Sequence, residues 1–295
     1  MMRPLPDGIF ASLVTPFFPD GSIDWESLDR ETRYLDKSPI HGICLGGVLS
    51  GLAGAPPREF FALARRARKE ISKPLAAMLF PDTLLEAHEL IQAVVEGGVT
   101  TVLVAQPHYL CQPTHEDLAD MFADLRRSFS VPIVVADCLP DAALGFSGIQ
   151  ALMDRKVVDG VLEGHDAHVL VDLLALRSEF PVLCGIEDLH YIGLLLGAHG
   201  AVSDLAAAFP EEVADLYRSG RDGSYSAARH HHERLCRLWR AFNLPVERSA
   251  RLRAALAAQG RSVGPPRSPY DVTNDDMTQT VQLALQREGF PCHPS

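Results

Sequence analysis

Lysine is scarce in this 295-residue chain. Of 27 basic residues only Lys37, Lys69, Lys73 and Lys156 are lysines, so none lies between 73 and 156 and none follows 156. A primary amine for covalent carbonyl chemistry can come from those four positions alone, because arginine does not lose its proton at any ordinary pH. Long apolar runs are missing too: none approaches the ~18 residues of a membrane-crossing helix, and "MMRPLPDGIF" has no apolar signal segment. The six cysteines, Cys44, Cys111, Cys138, Cys184, Cys236 and Cys292, form no C-x-x-C pair and no regular framework. Three fall in apolar, strand-like runs, where a free thiol behaves as a small hydrophobe. These absences predict a cytoplasmic protein without disulfides. A net charge of -11 argues against a nucleic-acid or anionic-membrane surface, since both reward basic patches.

What is present alternates. Short apolar runs, "GIFASLVTP" (8–16), "GICLGG" (42–47), "PLAAMLF" (74–80), "TVLVAQP" (101–107), "PIVVADC" (132–138), "VDGVLEG" (158–164), "PVLCGIE" (181–187) and "GAVSD" (200–204), are each followed by a helical stretch. The runs are continuous rather than alternating in polarity, the pattern of parallel strands covered on both faces. The period predicts a helix over 84–96 with Leu85, Leu90, Ile91, Val94 and Val95 largely on one side. Another starts at "THEDLADMFADLRR", with Thr114 as its cap and Asp117 three residues on. Eight such units predict an α/β fold, a (β/α)8 TIM barrel over 1–222. After about residue 210 the strands stop and four helical segments follow: the first can close the barrel, and the other three give a C-terminal helical region over 223–295, its last two helices parted by "GRSVGPPRSPYD".

Several segments resemble the dihydrodipicolinate synthase / N-acetylneuraminate lyase family. They are "GIFASLVTPFFPDGSIDWESL", "GICLGG", "VLVAQPHYLCQPT", "PIVVADCLP", "VDGVLEG", "GAHGAVSDLAAAFPEEVADLY" and "VGPPRSPYDV", in the family's order and across nearly the whole chain. The resemblance implies a lyase or synthase acting on 2-oxo acids, usually a homotetramer. It also implies a Schiff-base lysine on strand six, a proton-shuttling tyrosine on strand five, a hydroxyl pair after strand two, and a tyrosine donated across a subunit interface after strand four.

Residue by residue, that machinery is largely replaced. Leu162 falls at the lysine position, Ala136 or Asp137 at the strand-five tyrosine, and Gly47 and Val48 at the hydroxyl pair. Tyr109 alone remains, as a catalytic residue or a structural and interface one. Pyruvate imine chemistry is therefore expected to be absent.

Polar residues do cluster where strand C-terminal ends should lie, the functional face of a barrel. Three readings stand. Asp166 and Asp188 are helix caps around an inert mouth. Asp137 or Glu163 works with His165 as an acid–base pair. Glu163, His165 and Glu187 hold a divalent metal. The working assignment takes Tyr109, Asp137, Glu163 and His165 as catalytic and Gly47, Val48, Glu187 and Ser203 as substrate-binding, with no metal and no cofactor. The expected partner is a small carbonyl or carboxylic-acid ligand in a homo-oligomer, tetramer or dimer. The chain is then a divergent lyase of this family or a ligand-binding, regulatory relative. "ARHHHERL" (228–235) puts three consecutive histidines on a helix, where they point apart, so a solvated face is expected there.

Overall fold

The computed structural model describes residues 7–108, 112–176, 180–244, 247–269 and 274–293. Eight strands, β1 (Gly8–Ser12), β2 (Gly42–Leu45), β3 (Leu75–Leu79), β4 (Thr101–Val104), β5 (Ile133–Asp137), β6 (Gly160–Glu163), β7 (Val182–Cys184) and β8 (Gly200–Ser203), form a closed parallel barrel in chain order. β1 closes it by pairing with β8. Every strand lies inside its expected run and is shorter than it, so residues such as Gly46, Ala105, Cys138 and Gly185 open the loops at the barrel mouth.

Strand alternation divides the core in two. Phe10, Cys44, Ala76, Met78, Leu103, Val134, Ala136, Leu162, Leu183 and Val202 point inward and fill the barrel. Their neighbours, Val135 and Val161 among them, point outward into a larger layer shared with the helices. With 5 residues or fewer per strand and both faces covered, no strand needs polar alternation, which is why the apolar runs are unbroken.

The outer helices follow the sequence closely. α1 (Trp25–Lys37), α2 (Pro57–Glu70) and α3 (Leu84–Glu96) come first; α3 buries Leu90, Ile91 and Val94, but Leu85 is 71% exposed and is not part of its inner face. α4 (His115–Ser128) begins with a complete capping box between Thr114 and Asp117. α5 (Gly145–Asp154) and α6 (Ala167–Leu176) follow β5 and β6. Asp166 caps α6 through the N–H groups of His168 (2.7 Å) and Val169 (3.2 Å). The expected Asp188 cap does not form. α7 (His190–Leu195) starts from Leu189 with no side-chain cap, because Asp188 lies inside a one-turn 3-10 segment, Glu187–Leu189.

After β8 come the one-turn α8 (Leu205–Ala208), α9 (Pro210–Arg221), α10 (Tyr225–Phe242), α11 (Arg248–Ala258) and α12 (Asp275–Arg287). α11 is tied to the barrel by the fully buried Arg253. Its Nη2 donates to the carbonyls of Thr15 (2.9 Å) and Ser50 (3.3 Å), in the loops after β1 and β2, and its Nη1 donates to that of Val263 (3.1 Å). On α10 the three histidines diverge: His231 bonds Glu212 (2.8 Å), and His232 lies against the Tyr191 ring and Cys236. No helix among the described residues is long and apolar enough to cross a membrane.

Candidate active site at the barrel mouth

A cavity of about 440 Å³ opens at the C-terminal ends of the strands. Its floor is apolar, with Met78, Leu162 and Val202 in place. Leu162 is 1% exposed and inward-facing. A second lobe of about 430 Å³ adjoins it between the 47–54 loop, Phe80, Asp82 and His108. Gly47, Val48, Leu49, Leu139 and Arg248 border both lobes. Gly47 is held close to β1: a Cβ there would stand 1.9 Å from the Ser12 hydroxyl. A threonine or serine at that position would force the Ser12 hydroxyl to turn away and its neighbours to give by a few tenths of an ångström.

One wall carries two carboxyl groups, Glu187 and Asp204, both lining the cavity. Glu187 Oε2 accepts the Ser203 hydroxyl at 2.8 Å; Oε1 accepts the N–H groups of Asp204 and, at 3.3 Å, Leu205. Burial raises both acids above the ordinary carboxylate range. The negative charge of Asp204 raises Glu187 further, while the Ser12 hydroxyl and the Arg248 guanidinium pull Asp204 partly back. Two like groups in one dry wall hold protons at different strengths, the arrangement from which an acid and a base are made. His190, Nδ1 3.7 Å from Glu187 Oε2, is driven down to about 3 by burial and stays neutral. The Cys138 thiol lines the same cavity, but burial lifts it to about 12, so it offers no thiolate near neutrality.

Asp137 and Glu163 lie on the other side of the barrel wall. They are register partners at the ends of β5 and β6, one residue beyond the inward pair Ala136 and Leu162, so they face the helices. Asp137 accepts from Leu144 N–H and Gly145 N–H, each at 3.2 Å, holding the start of α5. Glu163 Oε1 accepts from His165 N–H (3.0 Å) and Asp166 N–H (2.8 Å), shaping the turn into α6. Burial raises Glu163 to about 8. His165 bridges the two environments: it borders the cavity, with Nε2 3.4 Å from Asp137 Oδ1 and 4.0 Å from Glu163 Oε1. Asp137, Glu163 and His165 bring one ligand atom each within 4.8 Å of one another, the one such group among the described residues. Glu187 is not in it, so the grouping of Glu163 and His165 with Glu187 is not formed. Tyr109 lies outside the described residues.

No lysine borders the cavity. Lys37 ends α1, Lys69 is on α2, Lys156 precedes β6, and Lys73 turns its Nζ onto the carbonyls of Leu35, Asp36 and Ser38. Arg248, Trp239 and Ser12 reach the mouth without having stood out in the sequence. Arg248 arrives on a C-terminal helix, and no local pattern marks a residue whose position depends on docking about 200 residues away.

The dihydrodipicolinate synthetase family model matches residues 5–288. The chain belongs to that family. Among its relatives, a 4-hydroxy-tetrahydrodipicolinate synthase of Methanothrix thermoacetophila is 27% identical over 288 residues, covering 95% of this chain and 96% of the relative. An uncharacterized DapA-like lyase of Thermococcus onnurineus is 24% identical over 293 residues, covering 95% and 98%. YagE of E. coli K12, a prophage protein of the dihydrodipicolinic acid synthase family solved in complex with pyruvate, superposes with a TM-score of 0.90 at 22% identity, covering 97% of this chain and 99% of that one. The family's scaffold is thus present end to end, and family members share a barrel whose mouth here is lined as described.

Proposed function

We propose that this chain is a lyase-type member of the family that acts on a small carbonyl or carboxylic-acid compound by side-chain acid–base chemistry, without a lysine imine. One observation carries the reading: the cavity floor on β6 is Leu162, while the wall formed at the ends of β7 and β8 holds the Glu187–Asp204 pair. An apolar floor gives no nucleophile. Of the two acids, Asp204 is the one drawn toward ionisation by Arg248, so it is the base that removes a proton next to the ligand's carbonyl or carboxylate. Glu187, held protonated by burial and by Asp204, is the acid that donates to the oxygen where charge develops. His165 borders the same space as a further proton carrier. Gly47 and Val48 contribute backbone and shape rather than hydroxyl groups. The homo-oligomer and the cytoplasmic location expected from the sequence are part of the same reading.

Two measurements test it. Incubation with pyruvate and borohydride followed by intact-mass analysis is expected to leave the mass unchanged; a stable gain would show imine formation. Proton exchange in D2O, followed by NMR for 2-oxo acids, is expected to show enzyme-dependent loss of the signal next to the carbonyl, abolished by Asp204→Asn. A cavity that binds acids with no exchange and no turnover would mark a binding protein instead.

A further inference from the structure

Arg248 is the first residue of α11 and stands where the two lobes of the mouth meet. The other arginines of α11 and of the segment after it are engaged. Arg251 pairs with Glu247, Arg261 with Glu31 and Arg267 with Glu59, while Arg253 holds backbone carbonyls. Arg248 makes no hydrogen bond or ion pair among the described residues, and its Nε is shut off from water without a partner. The charge that feels it is Asp204, which lines the same cavity beside Gly47.

Its placement is fixed rather than accidental. Ser249 donates to the Leu49 carbonyl at 3.2 Å, and Arg253 grips the loops after β1 and β2, so the start of α11 is pinned to the rim. A guanidinium stays charged at every working pH, and its planar fork of donors matches a carboxylate. Its shielded Nε gains a partner only where a ligand supplies one, and the fork stands at the edge of a concave, partly dry space.

We propose that Arg248 anchors the carboxylate of the ligand, so that the site takes a small organic acid held at the junction of the lobes. The anchored end lies against Arg248 and the Gly47–Val48 loop, where Asp204 also stands; the rest of the molecule reaches over Leu162 toward Glu187. The reacting end of this arrangement rests on the acid–base reading above, but the anchor does not. The acidic groups Glu187 and Asp204 in the same cavity make a doubly charged anion a poorer fit than a monocarboxylate.

Calorimetric titration of the full chain at pH 7 with pyruvate, the isosteric neutral pyruvamide and inorganic phosphate tests the anchor. The wild type is expected to bind pyruvate at least about tenfold more tightly than pyruvamide, a preference of ~1.4 kcal/mol, and to bind phosphate more weakly than pyruvate. Arg248→Ala should erase the preference while leaving pyruvamide binding and the unliganded melting temperature nearly unchanged. Arg248→Lys should keep part of it. Should Arg248→Ala fail to fold, peptide mass mapping of phenylglyoxal-treated wild type reads the same contact: pyruvate, not pyruvamide, should protect Arg248. Equal binding of pyruvate by wild type and Arg248→Ala overturns the assignment. So do equal binding of acid and amide, binding of neither, tighter binding of phosphate, and absence of protection. None of these results bears on the borohydride measurement, which judges imine chemistry separately.

Discussion

Ala136 and Leu162 are direct partners across β5 and β6, both turned into the barrel, and the next rung, Asp137 with Glu163, turns out of it. A step of one residue separates an apolar floor from a polar cluster. Leu162, where the family resemblance looks for a lysine, and Ala136, one of the two positions at which it looks for a tyrosine, are therefore neighbours in space, and both are hydrocarbon here. The two acids one residue further on cannot stand in for them from inside the cavity, because strand alternation aims them at the start of α5 and the turn into α6.

Placing the amine back is a direct test of that geometry. Leu162→Lys should put a buried ammonium against Met78, Leu183 and Val202, with a pKa pushed down by burial and hence a nucleophilic neutral amine. The substitution is expected to cost on the order of 2–4 kcal/mol of stability by urea denaturation. Pyruvate with borohydride should give a trapped adduct in this variant and none in the wild type. A folded Leu162→Lys that traps nothing would show that position 162 does not meet the ligand.

Glu163 makes stability depend on pH in a stated direction. Its pKa is about 8 in the folded chain against 4.5 for an ordinary glutamate, so the folded state binds more protons between those values. The stability it contributes is complete below about pH 4.5 and is lost as pH rises through about 8. Glu163→Gln keeps an oxygen for the His165 and Asp166 N–H groups and removes the titration. Relative to that variant, the wild type should weaken steadily from about pH 5 to about pH 9, by a few kcal/mol in all, since a tenfold change in proton affinity is worth ~1.4 kcal/mol. Comparing the two cancels buried histidines such as His190, which act on both alike. Parallel melting curves across the range would contradict the raised acid.

The barrel was legible because parallel strands covered on both faces must be apolar along their whole length, and eight evenly spaced runs have few other solutions. The strands' ends were less legible: "TVLVAQP" reads as one run, yet the sheet stops at Val104. Leu162 and the Gly47–Val48 loop could be placed at the mouth from the resemblance, and they border the cavity. Asp137 and Glu163 could not be placed correctly on one face, because a run without polar alternation carries no mark of which residues point inward. Glu187 and Asp204 are 17 residues apart and meet only because β7 and β8 are adjacent. Arg248 had no local signal at all.

Asp137 should prove a cap before it proves anything else. Asp137→Ala leaves the N–H groups of Leu144 and Gly145 without their acceptor in a buried setting, a loss of about 2 kcal/mol. Asp137→Asn retains one acceptor oxygen and should recover much of it. The denaturation midpoints of the two variants decide the matter; equal losses would mean that the charge, through His165 3.4 Å away, is what the fold requires.

Arg253 is the residue through which the C-terminal helices reach the mouth. Arg253→Met keeps the unbranched stem of the side chain but ends short of the guanidinium that lies over the Phe17 ring and removes every donor, so the Thr15 carbonyl loses the guanidinium and the loops after β1 and β2 lose their common tie. The expected loss is roughly 3 kcal/mol, in the range for breaking a buried charged hydrogen-bond network. Arg229→Ala, at an exposed pair with Glu233, should change stability by less than about 0.5 kcal/mol and serves as the control. Hydrogen exchange should rise at residues 47–52 and at the start of α11 in Arg253→Met and nowhere on α4 or α5. Because Gly47, Val48 and Arg248 share the rim those segments build, pyruvate binding should weaken in the same variant; intact binding beside a loosened rim would place the ligand deeper, against the barrel floor alone.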